Sequence, residues 1–207
     1  MAVGMIQAGG WSKAIKVAAA AFACLTAASC ASNPEARAAR LAAEGQNVGP
    51  CPLMGVLYDA ARIVELRAPE ERLSNVGYTG EMLGVSGFCR YVNTDPITMD
   101  LTINMAFGRG PKAESDRHTY KYWVAVARRD VAPITKQYFT VDVDFGNKDR
   151  TSLSQQVRKI TIPRANKDTS GVNFEILVGF DLTPEQLAFN RDGKRFRVNA
   201  AAATATP

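Results

Sequence analysis

Residues 97–107 read Ile-Thr-Met-Asp-Leu-Thr-Ile-Asn-Met-Ala-Phe, and this stretch decides the fold. Its large apolar side chains stand at every second position, and the positions between them hold Thr98, Asp100, Thr102, Asn104 and Ala106. Successive side chains of a β-strand point to opposite faces, so this pattern places one face in a core and the other in water. The stretch is therefore predicted to be a half-buried strand of an antiparallel sheet.

The same alternation recurs along much of the chain. It is clear in three further segments, which are Tyr120–Ala127, Phe139–Phe145 and Val172–Phe180. Weaker strand patterns lie between them, at Leu53–Tyr58, Arg62–Leu66, Glu81–Val92, Val157–Ile162 and Phe196–Val198. A break near Gly87 is an alternative for the third of these weaker strands. Residues 108–119 are polar and are predicted to form a long loop.

This series of short strands without alternating helices predicts the fold class. We expect a mainly β domain, an antiparallel β-sandwich of the immunoglobulin-like class, with a single sheet closed on itself as the alternative. One short helical turn at 184–190 interrupts the strands, because Thr183 and Gln186 can form a capping box around Pro184. The domain is expected to cover residues 51–199, and the small-residue tail 200–207 is expected to be disordered.

Composition and charge narrow the class of protein further. The chain has 207 residues, of which 46% are hydrophobic and 22% charged, as in an ordinary globular domain. Its formal net charge of +5 includes Lys13 and Lys16, and without residues 1–29 the balance is 23 basic to 20 acidic residues. So small an excess does not indicate a nucleic-acid-binding protein.

The N-terminal segment carries a second kind of signal. Lys13 and Lys16 precede an apolar run, Val17–Ser29, that is too short to cross about 30 Å of hydrocarbon. The run ends in Leu25-Thr26-Ala27-Ala28-Ser29-Cys30, which resembles the lipobox of a bacterial lipoprotein precursor, although Ala27 stands where leucine is usual. A basic start, an apolar centre and small residues at the end are typical of a cleaved secretory signal.

The resemblance implies a cellular location for the mature protein. Residues 1–29 would be removed, Cys30 would carry the lipid, and Ala31 after it would direct the protein to the periplasmic face of the outer membrane. Ordinary cleavage near Ser29 or Ala31 is the alternative and would give a soluble periplasmic protein; Cys24 is a poorer lipidation site. Residues 30–50 are then a lipid-anchored spacer, with a short helix within Ser32–Gly45.

Two of the four cysteines remain for the domain itself. Cys51 opens the first weak strand and Cys89 lies within a later one. An even number of cysteines in an exported domain predicts a disulfide between them. Metal binding is not expected, because there is no Cys-x-x-Cys pair and the chain has a single histidine.

Candidate catalytic groups are few. His118 lies close to Ser115 and Asp116, but groups so near in sequence are not held apart by separate elements as in a catalytic triad, so we interpret it as a solvated loop histidine. The loop 108–112 contains two glycines, yet no helix follows it to hold a phosphate. Asp142 and Asp144 share the wet face of one strand. We therefore expect no enzyme, no cofactor and no metal.

One surface is a candidate for binding. Trp123 falls on the outward side of its predicted strand, next to Lys121, Arg128 and Arg129. It is either covered by a loop or by the 184–190 turn, or it is an exposed aromatic that stacks on a sugar ring or anchors a partner. A basic span also stands out, with six cations and one acid: Lys148, Arg150, Arg158, Lys159, Arg164 and Lys167 against Asp149. A solvated surface is the simpler interpretation of that span.

The leading hypothesis is a non-enzymatic envelope lipoprotein, tethered to the membrane through its N-terminal lipid. Its β-sandwich would contact a protein partner in an envelope assembly. The alternative is a periplasmic module that binds a glycan or lipopolysaccharide through Trp123 and the neighbouring cations. Nucleic acid is not expected as a partner.

Overall fold

The computed structural model describes Asn47, residues 49–129, Val131 and residues 133–196. The predicted signal peptide, Cys30, most of the spacer and the C-terminal tail lie outside these residues. Within them the chain forms eight strands and one α-helix: β1 (Leu53–Val56), β2 (Arg62–Leu66), β3 (Val76–Arg90), β4 (Ile97–Arg109), β5 (Arg117–Arg128), β6 (Pro133–Asp144), β7 (Arg150–Ile162), β8 (Phe174–Phe180) and α1 (Pro184–Arg191). Single 3-10 turns cover Tyr58–Ala60, Leu73–Asn75 and Gly171–Asn173.

The eight described strands form two sheets of four. Sheet A has the order β1-β8-β5-β6 and sheet B the order β2-β3-β4-β7. Every neighbouring pair is antiparallel except β1 and β8, which run parallel. The prediction of an antiparallel β-sandwich is confirmed, and the alternative of one closed sheet is wrong.

The stretch that predicted the fold lies in the middle of sheet B. Between Ile97 and Phe107, each large apolar side chain of β4 is buried. Across the sandwich they meet the inward side chains of β5, which are Tyr120, Tyr122, Val124 and Val126. Full burial of one such side chain stabilises the fold by about 1.5–3 kcal/mol relative to its exposure. The alternation of apolar and polar residues in the sequence therefore identifies the side chains that form the two inner faces of the sandwich.

The structure differs from the predicted strands in three places. β3 runs without a break through Gly87, and its irregularity lies between Met82 and Gly84 instead. β7 begins at Arg150 rather than at Val157, because its first half carries serines, a threonine and glutamines that show no apolar alternation. The loop predicted at 108–119 is shorter, since β4 ends at Arg109 and β5 begins at Arg117.

Helix α1 covers one edge of sheet B. The predicted capping box is present, with Thr183 and Gln186 exchanging hydrogen bonds around the helix start. One turn apart on the helix, Gln186 Nε2 donates to the Val64 carbonyl at 3.4 Å and Asn190 Nδ2 donates to the Arg62 carbonyl at 2.8 Å. These carbonyls belong to edge strand β2, so the helix satisfies groups that another strand would otherwise pair with. Within the described ranges, no helix is both long and apolar enough to cross a bilayer.

Candidate functional site

The outer face of sheet A is unusually apolar, and we call it the apolar face. Its outward positions on β5 hold Trp123, Ala125 and Ala127, beside Leu177 of β8. Exposed apolar side chains surround this centre: Leu53 and Leu57 at the β1 side, and Ile134 and Tyr138 on β6. The centre of the apolar face is therefore buried, and its exposed apolar side chains lie at its two sides, at β1 and on β6.

Trp123 is the centre of the apolar face, but it is buried rather than exposed. Only 7% of the residue is accessible, and its Nε1 donates to the Phe180 carbonyl at 3.0 Å. It packs with Ala60 in the 3-10 turn after β1, and Leu182 lies against the same cluster. A ring held in this way is not available to stack on a sugar.

The other residues of the predicted binding surface are placed differently. Lys121, Arg128 and Arg129 are exposed on β5 and just after it, so the structure keeps the cations at the surface and removes the tryptophan from it. A cation missed by sequence reasoning, Lys136 of β6, takes their place above the ring. Its Nζ lies 4.4 Å from the centroid of Trp123 and 5.0 Å from that of Tyr138. The position of Lys136 above Trp123 could not be predicted from the sequence, because it depends on β6 being the neighbour of β5.

Strand β6 forms the open edge of the apolar face. Each residue of its first half, from Pro133 to Tyr138, is exposed, and β5 is its only paired neighbour among the described strands. The other edges offer less: β1 has four residues, α1 covers β2, and the pairing of β7 with β4 is irregular near Lys159, whose φ is 61°. An edge strand of this length presents a row of backbone donors and acceptors to a partner.

The four cations near this edge lack acidic neighbours in the described part of the chain. Lys121, Arg128, Arg129 and Lys136 each lie more than 4.0 Å from any carboxylate oxygen described there. The acids of β6 lie at its far end, where Arg117 Nε donates to Asp144 at 2.9 Å. The first half of the open edge is therefore basic as well as apolar.

His118 is not the solvated loop histidine that the sequence suggested, and that interpretation is wrong. It lies in β5 with 17% of its side chain exposed, and its Nε2 is 2.9 Å from Glu65 Oε1 on β2. Its ring stacks on Tyr78 at 3.9 Å between centroids. Ser115 and Asp116 make other contacts, accepting from the Arg117 amide and from Arg109 respectively. The described residues thus form no triad around His118, and its bond with Glu65 joins the two sheets.

The tyrosines around this histidine are part of the same inter-sheet cluster. The Tyr78 hydroxyl donates to the Ser115 carbonyl at 2.8 Å, and the Tyr120 hydroxyl donates to the Thr79 carbonyl at 3.0 Å. Burial raises the pKa of Tyr120 well above its usual value, and the nearby Glu65 carboxylate adds to the effect. Buried tyrosines whose hydroxyl groups donate hydrogen bonds to backbone carbonyls stabilise the sandwich.

The remaining acidic candidates are paired across strands. Asp144 accepts from Arg117 and from the Gly146 amide, while Thr119 donates to Asp142. The Gly146 amide, with the Arg117 guanidinium second, holds the pKa of Asp144 below its ordinary value. The described residues contain no group of three histidine, cysteine or acidic side chains placed to hold a metal ion.

The Cys51–Cys89 disulfide is present, as the sequence predicted. It links the segment before β1 of sheet A to β3 of sheet B, across a sequence separation of 38. Closing a loop of that length stabilises a fold by roughly 3–4 kcal/mol on the chain-entropy account. Asn47 supports the same corner, because its Nδ2 donates to the Cys89 carbonyl at 2.7 Å.

The cations of the basic span 148–167 make different kinds of contact. Arg164 is structural: its guanidinium donates to the carbonyls of Asn93, Asp95 and Thr169 and lies 4.8 Å from the centroid of the Tyr91 ring. On β7, Arg158 donates to the side chain of Gln156 two residues before it. Lys148 and Arg150 instead lie beside the outer face of sheet B.

The fold and its surfaces define a disulfide-linked β-sandwich with one apolar outer face and one open edge strand. Comparison with known proteins adds no relative: no protein-family model matches the chain, and no curated protein or solved structure is similar to it.

Proposed function

We propose that the chain is a non-enzymatic lipoprotein of the bacterial envelope, held through a lipid on Cys30 at the periplasmic face of the outer membrane. Its β-sandwich binds another envelope protein through the apolar face and the open edge of β6. The observation that carries this proposal is the continuity of the two: the exposed side chains of Ile134 and Tyr138 stand on the strand whose edge is unpaired.

The edge determines how the partner binds. An extended segment that adds to β6 gains main-chain hydrogen bonds, and every second side chain of it extends the apolar face beside Tyr138. Apolar contact then supplies affinity, while the backbone register supplies orientation. Such a mode needs no pocket.

The charges determine the composition of the partner segment. The first half of the edge is surrounded by Arg128, Arg129 and Lys136, so complementarity calls for carboxylates in the added strand. The proposed occupant is therefore an extended segment of an envelope protein in which apolar residues alternate and at least one acidic residue faces Lys136. The alternative function, glycan binding through Trp123, has lost the exposed ring on which it depended.

Paired surface variants test the docking proposal. Ile134→Asp with Tyr138→Asp places two charges on the apolar face, and Leu83→Asp with Phe88→Asp is the matched control on sheet B, where Leu83 and Phe88 are 60% and 67% exposed. All four side chains are exposed, so we expect both variants to fold. Each protein is purified from membrane extracts with its bound proteins, which are quantified by mass spectrometry.

The expected result is one protein that wild type and control retain and that the Ile134/Tyr138 variant loses by at least about tenfold. The purified pair should then show slowed amide hydrogen exchange in β6. Equal retention by both variants, or protection elsewhere than β6, would overturn the docking proposal. The anchor is tested separately by mass spectrometry of the mature N-terminus: a diacylglycerol-modified Cys30 is expected, and an unacylated start refutes the tether.

A further inference from the structure

A second surface lies on the opposite side of the sandwich from the apolar face. A groove of about 770 Å³ crosses the outer face of sheet B and touches all four of its strands. Its far wall is the segment that follows helix α1, Lys194 to Phe196. We call it the basic groove. A volume of this size accommodates a small organic molecule rather than a single ion.

The floor of the basic groove is made of small and hydroxylated residues. Thr79 of β3, Ala106 and Gly108 of β4, and Ser152 of β7 are adjacent in the strand register. Such residues leave room for a ligand to approach the backbone and offer hydroxyl groups as hydrogen-bond partners. Glu81 lies opposite Ala106 in the same register, but its carboxylate is paired with Arg62 at 3.0 Å, so the hydroxyl groups of the floor favour a polar ligand.

The rim of the basic groove carries most of its charge. Lys148 and Arg150 stand on one side, and Lys194 and Arg195 stand on the other. In the described part of the chain, no carboxylate lies within 4.0 Å of Lys148 or Arg150. The one acid in the lining is Glu81, and Arg62 already pairs with it at 3.0 Å.

Specific contacts hold the far wall in place. Asn190 Nδ2 donates to the carbonyls of Asp59 and Arg62, and the ring of Phe196 lies 5.7 Å from that of Phe189, which is buried. Arg195 donates to the Tyr58 hydroxyl at 2.9 Å and has no described carboxylate within 4.0 Å, whereas Lys194 pairs with Glu71 at 2.8 Å and with Asp192 at 3.3 Å. On this side of the groove, Arg195 is therefore the cation that lacks an acidic partner among the described residues.

We infer that the basic groove binds a phosphate ester, with the phosphate between Arg150 and Lys148 and the attached group over the floor. A guanidinium fork and an ammonium group together match the several acceptor oxygens of a phosphate. The hydroxyl groups of Ser152 and Thr79 form hydrogen bonds with the attached polar group. The ester comes from one of two sources, a soluble sugar phosphate or the headgroup of a phospholipid.

The test uses the purified protein and matched charge variants. Lys148→Glu with Arg150→Glu reverses the rim, and Arg158→Glu with Lys167→Glu makes the same change in net charge at exposed positions away from the groove. Amide chemical shifts are followed by NMR during titration with glucose 6-phosphate and, separately, with glucose. A second arm measures sedimentation with phosphatidylglycerol vesicles and with phosphatidylcholine vesicles. Thermal unfolding of each variant checks that it is folded.

With a soluble source, glucose 6-phosphate shifts the amides of Thr79, Arg150 and Ser152 to saturation, and glucose does not. With a lipid source, the phosphatidylglycerol vesicles bind and the phosphatidylcholine vesicles do not. In either arm the Lys148/Arg150 variant weakens binding by at least about tenfold, because two charged hydrogen-bond donors are lost, while the Arg158/Lys167 variant changes it less than about twofold.

Several results would overturn the inference. Failure of both arms does so, as does an equal response to glucose and glucose 6-phosphate. The third is equal weakening by the two charge variants, which would show a general attraction of a basic protein for anions.

Discussion

The outer faces of the two sheets differ although their inner faces are alike. Outward positions of sheet A hold Trp123, Ala125 and Leu177, whereas those of sheet B hold threonines, serines, asparagine and glutamine, with Ser154 Oγ donating to Asn104 at 2.6 Å. The outer side of sheet A is thus buried at its centre, around Trp123, whereas the outer side of sheet B is exposed at Asn104 and Ser154. The alternation of apolar residues along the strands determines which side chains form the core. The residues at the outward positions determine whether each outer face is covered by other parts of the protein or exposed to solvent.

The aromatic residues show this difference most directly. Trp123 on the outer side of sheet A is 7% exposed, and Phe88 on the outer side of sheet B is 67% exposed. The two rings occupy equivalent outward positions but have opposite environments, because neighbouring strands and the turn at Tyr58–Ala60 cover only Trp123. If the comparison holds, equivalent substitutions on the two faces have unequal costs.

The largest expected difference comes from removing these two rings. Trp123→Ala should lower the free energy of unfolding by about 3–5 kcal/mol, since it leaves a cavity among Ala60, Leu177 and Leu182. Phe88→Ala should change it by no more than about 0.5 kcal/mol. Urea unfolding of both variants measures the difference. Similar costs for the two substitutions would mean that the outer faces are equally covered.

Adding a methyl group to glycine tests the same contrast with a smaller effect. A Cβ on Gly179 would lie 2.6 Å from Trp123 Cζ2 and 2.7 Å from the Ala60 Cβ, so Gly179→Ala should cost about 1–3 kcal/mol through overpacking. Gly84 in sheet B has no atom within 4 Å of the same position, and Gly84→Ala should be neutral or stabilising by up to about 1 kcal/mol. Thermal unfolding compares them, and a tolerated Gly179→Ala would show that the tryptophan can move aside.

The smallest expected effect concerns alkaline pH and the interior between the two sheets, where the Tyr122 side chain lies. Burial raises the pKa of Tyr122 from 10.0 to about 12. The folded state therefore retains a proton that the unfolded chain loses first, so this contribution is complete below about pH 10 and declines as the pH rises toward 12. Urea unfolding at intervals from pH 9 to 11.5 measures the decline.

The Tyr122→Phe variant is the control for that experiment. It lacks the ionisable group, so its stability should fall less steeply over the same range than that of the wild type, while the lysines titrate equally in both proteins. Identical slopes would show that Tyr122 ionises as readily in the fold as in the unfolded chain, and the interior between the inner faces would then be less well protected from water than Trp123 on the outer face.

The sequence was informative where local pattern decides the structure. The alternation at residues 97–107 predicted β4 and its buried face, Thr183 and Gln186 predicted the helix start, and the two domain cysteines predicted the disulfide. Each of these depends on neighbours along the chain or on residue type alone. That is why these features could be predicted before any strand order was known.

The surfaces could not be predicted, because each depends on contacts between distant residues. His118 meets Glu65 across a separation of 53, and Asn190 reaches Arg62 across 128. Lys136 lies above Trp123 because β6 pairs with β5 in one register. Neither the apolar face nor the basic groove is a motif in the sequence, so both become visible only when the sheets are assembled.

The parallel pairing of β1 with β8 affects the order in which the protein can fold. Leu53–Val56 is the first described strand to leave any channel that threads the chain from its N-terminus, and its partner Phe174–Phe180 is the last. Sheet A therefore stays incomplete until nearly the whole chain has emerged, and contacts so distant in sequence slow the final step. If synthesis or translocation stopped before β8 emerged, β1 would lack its partner strand. Its unpaired edge could then pair with another chain, so aggregation is prevented only once nearly the whole chain is available.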